Sequence, residues 1–404
     1  MEMELKPINV IIGPQASGKS VTAKLLYFFK SLLEEIYESI LNEESRRELD
    51  NKQAEKFSMY FPKDSWPNNN FKVEYHFKQY WILVQNKGRK TISFTYSESI
   101  RTIIDKSRKY YKQVKLDIEK QERLPLNIIR ASSYAFYKYY FEDLKSQLPD
   151  GFMREQLFIP AGRSFFSQIQ SNIFNLLNSN YSFDPFLTEF GAYYENLRTY
   201  GFYKDDENDE AQASLNLLFA EILNGKYLRD KGKDYLVHKD FRRVNLMNAS
   251  SGQQEILPLL LILRAILKDI TKQVGTLYIE EPEAHLFPIA QKRIVQLLTR
   301  TFNARNKEFQ TIITTHSPYI LASFNNLMEA GKVLEEKADS TQELAKIISK
   351  DEIIPPHAVA AYSLFDGEKT DLIDPSTHLI SQNILDSVSD EISIEFGKLL
   401  DLEF

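Results

Sequence analysis

Eight residues near the start of the chain, Gly13-Pro14-Gln15-Ala16-Ser17-Gly18-Lys19-Ser20, fit the spacing G-x-x-x-x-G-K-[ST]. These residue types suit a phosphorylated ligand. Glycines let successive backbone N–H groups turn inward around phosphate oxygens, and a helix opening at Lys19 adds its positive end. Lys19 would neutralise the β and γ phosphates of a nucleotide, and Ser20 would ligate Mg²⁺. Two further groups could do acid–base chemistry. Thr276-Leu277-Tyr278-Ile279 runs into the adjacent carboxylates Glu280 and Glu281. In that layout Glu280 supports the metal while Glu281 orients or deprotonates the attacking water. Thr314-Thr315-His316-Ser317 ends a second apolar run, where an imidazole could reach a γ-phosphate.

The elements that must position these groups are legible around them. Ile8 to Ile12 is an apolar run stopped by Gly13-Pro14, and Leu25, Leu26, Phe29, Leu32, Leu33, Ile36 and Ile40 recur at helical spacing. This reads as strand, loop, helix, the setting a phosphate loop requires. Phe71 to Phe77, Tyr80 to Val84 and Thr91 to Tyr96 read as antiparallel strands, with Asn86-Lys87-Gly88 as punctuation. From about Ile100 to Asn245 the pattern becomes long, polar and aromatic with helical spacing. After Asn248 an α/β rhythm returns: helix Glu255 to Ile270, strand Thr276 to Ile279, helix Pro288 to Phe302, strand Gln310 to Thr314. The sheet is therefore expected to be built from both ends of the chain. The predicted division is an N-terminal lobe with the phosphate loop (1–100), a mainly helical insertion (101–245), a C-terminal lobe (246–340) and an acidic tail (341–404). The tail either packs on the lobe or docks a partner.

Composition narrows the function class. With 404 residues, 43% of them hydrophobic, a substantial core can be buried and disorder as the main state is excluded. Lys and Arg number 50 against 56 Asp and Glu, so a uniformly basic nucleic-acid coat is absent. The acid is concentrated after Asp366, where ten acidic side chains face two basic ones. The chain has no cysteine, which excludes disulfide frameworks, thiolate zinc sites and cysteine nucleophiles. No apolar run approaches the roughly 18 residues of a membrane span, and Met1-Glu2-Met3-Glu4 lacks the order of a secretory signal. A cytoplasmic protein with no membrane partner is expected. Arg101, Lys106, Arg108, Lys109, Lys112 and Lys115 interleave with Tyr110 and Tyr111, a composition suited to phosphate contact and base stacking. A solvated helix face, with acids nearby between Asp105 and Glu122, is the favoured reading, so DNA stays a secondary partner.

Asn248-Ala249-Ser250-Ser251-Gly252-Gln253-Gln254-Glu255 is a small polar loop ahead of the apolar helix Ile256 to Leu267, and alone it reads as a helix cap. Taken in order, the phosphate loop, Ser-Ser-Gly-Gln-Gln, Ile-Glu-Glu-Pro-Glu-Ala-His-Leu and Thr-Thr-His-Ser resemble the ABC-type ATPases. The likeness is to the SMC, RecF and overcoming-lysogenization-defect group, including AAA-labelled ATPases of anti-phage systems. It covers about residues 5 to 100 and 245 to 335, with weaker similarity at Ile159-Pro160-Ala161-Gly162-Arg163.

The resemblance implies an α/β fold, an ABC-type P-loop ATPase head with a mixed sheet and a large, mainly helical insertion. It implies ATP and Mg²⁺ as cofactors. It assigns Ser251, Gly252 and Gln253 to the signature that contacts the γ-phosphate held by the opposite subunit. Glu281 matches the catalytic glutamate, Glu283 to Leu286 the D-loop segment, and His316 the switch histidine. Gln85, Gln168 and Gln170 all remain candidates for the Q-loop glutamine. The family more often has Asp where this chain has Glu280, one methylene longer.

Because one chain carries one phosphate loop and one signature, the resemblance further implies a homo-oligomer closed around ATP. The expected function is an ATP-hydrolysing switch controlling a separate effector protein, as the regulatory ATPase of an anti-phage system. The alternatives are an SMC/RecF-like DNA-binding ATPase in repair and a scaffold that binds ATP without hydrolysis. A built-in nuclease is disfavoured. Phe365 to Asp371 resembles the opening of a Toprim domain, but too few residues follow for that fold. A transporter subunit is disfavoured by the long separation of Lys19 from Ser251.

Overall fold

The computed structural model describes residues 1–66, 70–88, 91–120, 125–143, 155–169, 184–199, 210–268, 274–305, 309–337, 341–381, 393–396 and 398–399. The strands in chain order are β1 (Ile8–Ile12), β2 (Lys72–Phe77), β3 (Tyr80–Lys87), β4 (Thr91–Tyr96), β5 (Glu155–Ile159), β6 (Lys226–Asp230), β7 (Lys233–Val237), β8 (Arg243–Asn245), β9 (Val274–Glu280), β10 (Gln310–Thr315), β11 (Val359–Phe365) and β12 (Glu368–Asp371). The α-helices are α1 (Lys19–Leu41), α2 (Arg46–Tyr60), α3 (Glu98–Glu119), α4 (Pro125–Lys138), α5 (Phe165–Ile169), α6 (Pro185–Thr199), α7 (Glu210–Leu223), α8 (Ser251–Leu267), α9 (Pro288–Ala304), α10 (Pro318–Glu336) and α11 (Thr341–Ala345).

The chain forms two compact units. One comprises Met1–Ser20 with Leu157–Phe404, the other Val21–Gln156. The first is organised on a six-stranded sheet in the order β12-β11-β1-β10-β9-β5. β1 runs parallel to both β10 and β11, and β10 runs parallel to β9. Only sheets covered on both faces make such strands buried throughout, and every residue of β1 and β9 is buried. That explains their unbroken apolar runs. Five of its strands come from the two ends of the chain, as the α/β rhythm predicts, and the sixth, β5, comes from the stretch expected to be a mainly helical insertion.

Register brings the chemistry together. Ile12 is level with Thr315, and Thr314 with Glu280, so β1, β10 and β9 all end at one edge of the sheet. Residues that follow parallel strands lie beyond their carboxyl ends, where open α/β sheets place ligands. A slip of one residue would turn the next side chains to the opposite face.

Helix α8 starts at Ser251, earlier than the apolar pattern suggests, because Ser250 and Gln253 form a capping box. Gln253 N–H donates to Ser250 Oγ at 3.3 Å, and Ser250 N–H donates to Gln253 Oε1 at 3.2 Å. The box satisfies two backbone donors at the helix start, so four polar residues join the helix ahead of its apolar face. Ser251, Gly252 and Gln253 therefore sit in the first turn and not in a loop.

In the second unit, β2, β3 and β4 form an antiparallel sheet with the pairing expected from their alternation. The basic stretch forms part of α3. Its Tyr110 ring stacks on Tyr139 with centroids 4.0 Å apart, and Tyr111 is buried. Arg108 donates to the Glu44 carbonyl at 3.0 Å, and Lys115 pairs with Glu43.

The end of the chain contributes more than a tail. β11 lies directly beside β1, and β12 returns antiparallel along it. Phe365, Asp366, Gly367 and Glu368 form the connecting turn, with Asp366 at φ 48° and Gly367 at φ 80°. An Asp-Gly pair with both residues in the left-handed region is the favoured two-residue hairpin connection. Ile380 is buried and bridged to Ile373. Most of the acidic tail beyond Ile380 lies outside the described residues.

Candidate functional site

The phosphate loop leaves β1 at Gly13 and enters α1 at Lys19. Gly13 packs against the end of β11 so closely that a Cβ there would lie 2.1 Å from the Leu364 carbonyl oxygen. Only glycine fits that approach. Ala16 (φ 60°) and Gly18 (φ 96°) both take the left-handed conformation that turns the loop back on itself. Lys19 is buried, and its ammonium donates to the carbonyls of Gly13 at 2.8 Å and Pro14 at 2.7 Å. Burial lowers its pKa, against the opposing pull of Glu281, Glu283 and Glu280. The four charged groups therefore share one electrostatic neighbourhood. Pro14, Gln15, Ala16 and Ser20 are exposed on the loop, and Ser17 Oγ is buried with no hydrogen-bond partner.

Glu280 closes β9 and is buried. Its Oε2 accepts from the Ala161 N–H at 3.2 Å, while Oε1 is buried and unpartnered. The extra methylene relative to aspartate thus reaches the loop after β5. Glu281 follows in the left-handed region, at φ 44°. Its N–H donates to the Thr314 carbonyl at 2.9 Å, and its Oε1 lies 3.1 Å from His316 Nε2. That contact joins the ends of β9 and β10. The Glu281 side chain is 37% exposed, so water reaches its carboxylate.

Glu283 takes a role that spacing alone does not reveal. Its Oε1 accepts from Thr315 Oγ1 at 2.7 Å and from the His316 N–H at 2.6 Å. Charge-assisted bonds of this kind are short and directional. They fix the backbone that carries the imidazole, making Glu283 the support for His316. Ser317 caps α10 and donates through Oγ to Gln291 Oε1, which holds the following turn to α9.

The signature-like residues are placed by a different set of contacts. A Cβ on Gly252 would come within 2.5 Å of the His285 carbonyl oxygen, so the first turn of α8 is pressed against the segment Glu283 to Leu286. His285 is itself left-handed, at φ 59°. Gln253 Nε2 donates to the Leu223 carbonyl at 2.7 Å, and Ser251 is exposed. Lys19, Glu280, Glu281, Glu283 and His316 are gathered at the edge of the sheet, whereas Ser251, Gly252 and Gln253 are anchored on His285 and Leu223. Of the Q-loop candidates, Gln85 lies on β3 in the other unit and Gln170 falls outside the described residues.

The site's chemistry fits ATP with Mg²⁺. Ser17 Oγ and Glu280 Oε1 are buried without hydrogen-bond partners, and the Lys19 ammonium is held by the loop's own carbonyls, so these groups have bonding capacity left for a phosphate and its hydrated cation. Among the described residues no cluster of three or more His, Asp or Glu could hold a metal by itself. A phosphate-borne Mg²⁺ needs none, because it keeps waters and takes one or two protein ligands. Ser20 and Glu280 are the residues that would supply them.

Over 132 residues, 31% of this chain and 24% of the relative, the sequence is 30% identical to a protein of Vibrio cholerae serotype O1 biovar El Tor named Retron Vc95 probable ATPase. The chain thus matches about a quarter of that relative's length. Among solved structures it is similar to the SMC head domain from Thermotoga maritima, with TM-score 0.34, 12% identity and 91% of each chain covered. It is also similar to an SMC head bound to the C-terminal winged-helix domain of ScpA, with TM-score 0.35, 13% identity, and 90% of this chain and 88% of that one covered. No helix among the described residues is long and apolar enough to cross a membrane. Residues 8–322, from the start of β1 past His316, match one family along their whole extent, and so include every segment of the site. The chain belongs to the family described as AAA domain, putative AbiEii toxin, Type IV TA system.

Proposed function

We propose that this protein is an ATP-hydrolysing switch that assembles around bound nucleotide and controls a separate effector protein in anti-phage defence. The observation that carries the reading is the Glu281–His316 contact of 3.1 Å at the sheet edge shared with Lys19. It supports reading Glu281 as a carboxylate base and His316 as an imidazole beside the terminal phosphate of a nucleotide held in the loop. Lys19 would exchange two backbone carbonyls for phosphate oxygens. Glu281 would accept a proton from the attacking water, and His316, aligned by Glu283, would donate from its ring to the terminal phosphate. Mg²⁺ held by Ser20 and Glu280 would supply charge neutralisation on the phosphates.

Assembly is inferred from placement. Ser251 is exposed at the first turn of α8, which Gly252 seats against His285 and Gln253 ties to Leu223, so a second copy of the chain could present that turn to the nucleotide of the first. The defence setting draws on the family's description and on the name of the Vibrio cholerae relative. The DNA-gripping alternative gains less support, because Tyr110 and Tyr111 are already engaged in packing. Light scattering on the Glu281→Gln chain tests the assembly. Mass should double with Mg²⁺–ATP and stay unchanged with ADP. A constant mass at micromolar chain and millimolar ATP would remove the assembly from the proposal.

A further inference from the structure

Arg163 has no solvent exposure, yet it carries a guanidinium. Its Nη1 donates to the carbonyls of Pro160 at 2.9 Å and Glu280 at 2.7 Å, and Nη2 donates to the Glu281 carbonyl at 3.0 Å. Nε donates to the Glu255 carbonyl at 3.0 Å and lies 3.3 Å from Glu255 Oε1. Glu255, equally buried in α8, accepts at Oε1 from the Arg163 N–H and at Oε2 from the Ser164 N–H, each at 2.8 Å. One ion pair thereby ties together the loop after β5, the carboxyl end of β9 and the first turns of α8.

A buried ion pair of this kind gains little over well-packed apolar side chains, because both charges are stripped of water. Its specific effect is geometric. Glu281 sits in the left-handed region, a conformation that persists in a residue with a side chain only when its surroundings over-determine it. Its N–H is held by Thr314, and its carbonyl by the Ala284 N–H at 3.0 Å and by Arg163. The guanidinium also holds the preceding carbonyl, so the peptide that aims the Glu281 carboxylate toward His316 is gripped on both sides.

We propose that Arg163 is the positioning residue for Glu281, and that Glu255 locks it in place while coupling it to the helix that begins with Ser251, Gly252 and Gln253. This rests on Glu281 being the base. A lysine at 163 cannot reach four carbonyls and a carboxylate at once, since its donors radiate from one nitrogen whereas the guanidinium's are spread across a plane.

The test combines ATP turnover with direct ATP binding in a double-mutant cycle. Arg163→Lys should lower kcat at least about tenfold while KM and the ATP dissociation constant stay within about twofold of the parent. Placed on Glu281→Gln, it should leave the residual rate unchanged. An unchanged kcat in the parent background, or an equal loss in both backgrounds, overturns the proposal. If Arg163→Lys no longer binds ATP, Glu255→Gln decides the matter. It removes one of the two carboxylate acceptors, and should lower kcat at least about threefold with binding intact; an unaltered kcat overturns the positioning role. The two ideas fail separately. Should Glu281→Gln turn over ATP at the parent rate, the base assignment falls and the positioning role with it. Should Glu281→Gln be inactive while Arg163→Lys keeps its full kcat, only the positioning role falls.

Discussion

Replacing Lys19 by alanine is expected to weaken ATP binding at least about 100-fold, which corresponds to ~2.7 kcal/mol. Hydrogen bonds to charged groups are each worth about 1.5–3 kcal/mol, and the ammonium would meet more than one phosphate oxygen. The acids whose charge acts on Lys19, namely Glu281, Glu283 and Glu280, repel phosphate once the ammonium is gone. Removing the ammonium also frees the Gly13 and Pro14 carbonyls it holds, so the loop loses its internal brace. Titration calorimetry with Mg²⁺–ATP measures the effect. An affinity equal to the parent's would mean that nucleotide is held elsewhere.

Glu281→Gln separates binding from chemistry. The amide keeps the size of the side chain and an oxygen that can face His316 Nε2, but it cannot take a proton from water. Positioned general bases contribute about 10²–10⁴ in rate, so kcat should fall within that range while ATP affinity stays near the parent's. Single-turnover phosphate release, measured beside binding, reads both. Parent-rate release from this variant would move the base elsewhere, and Glu283 would be examined next. That residue is a poor candidate on geometry. Its Oε1 is committed to Thr315 and His316, and Oε2 is buried.

The parts of the site legible from sequence are those whose constraints are local. Gly13 to Ser20 is strand end, turn and helix start within eight residues, and Glu280-Glu281 and His316 each close an apolar run of a parallel strand. Their convergence follows once the strands are known to be parallel neighbours, because equal registers bring equal ends together. Pairing partners far apart in sequence leave no such trace. Val359 to Phe365 carries no spacing that marks it as the neighbour of β1, although the Leu364 carbonyl is what makes glycine necessary at position 13. Asp366-Gly367 is a hairpin signal, but the acidic composition that follows it masks the strand pair on either side. Glu283 shows a second kind of limit. A third carboxylate after two others looks like part of the same acidic turn, and its hydrogen bonds to Thr315 and the His316 backbone emerge only when β9 and β10 lie side by side. Arg163 and Glu255 are separated by 92 residues, and neither spacing nor hydropathy pairs an arginine after Gly162 with a glutamate in a capped helix.

A site completed by a second copy of the chain makes ATP hydrolysis depend on assembly. Phosphate release per chain, measured with saturating Mg²⁺–ATP across a wide range of protein concentration, reads both properties. Release well above that of Lys19→Ala is expected, with a rate per chain that climbs with concentration before levelling off as assembly saturates. Release no greater than that of Lys19→Ala at every concentration would contradict hydrolysis at this site, and a rate per chain that is high but independent of concentration down to the nanomolar range would contradict the shared site.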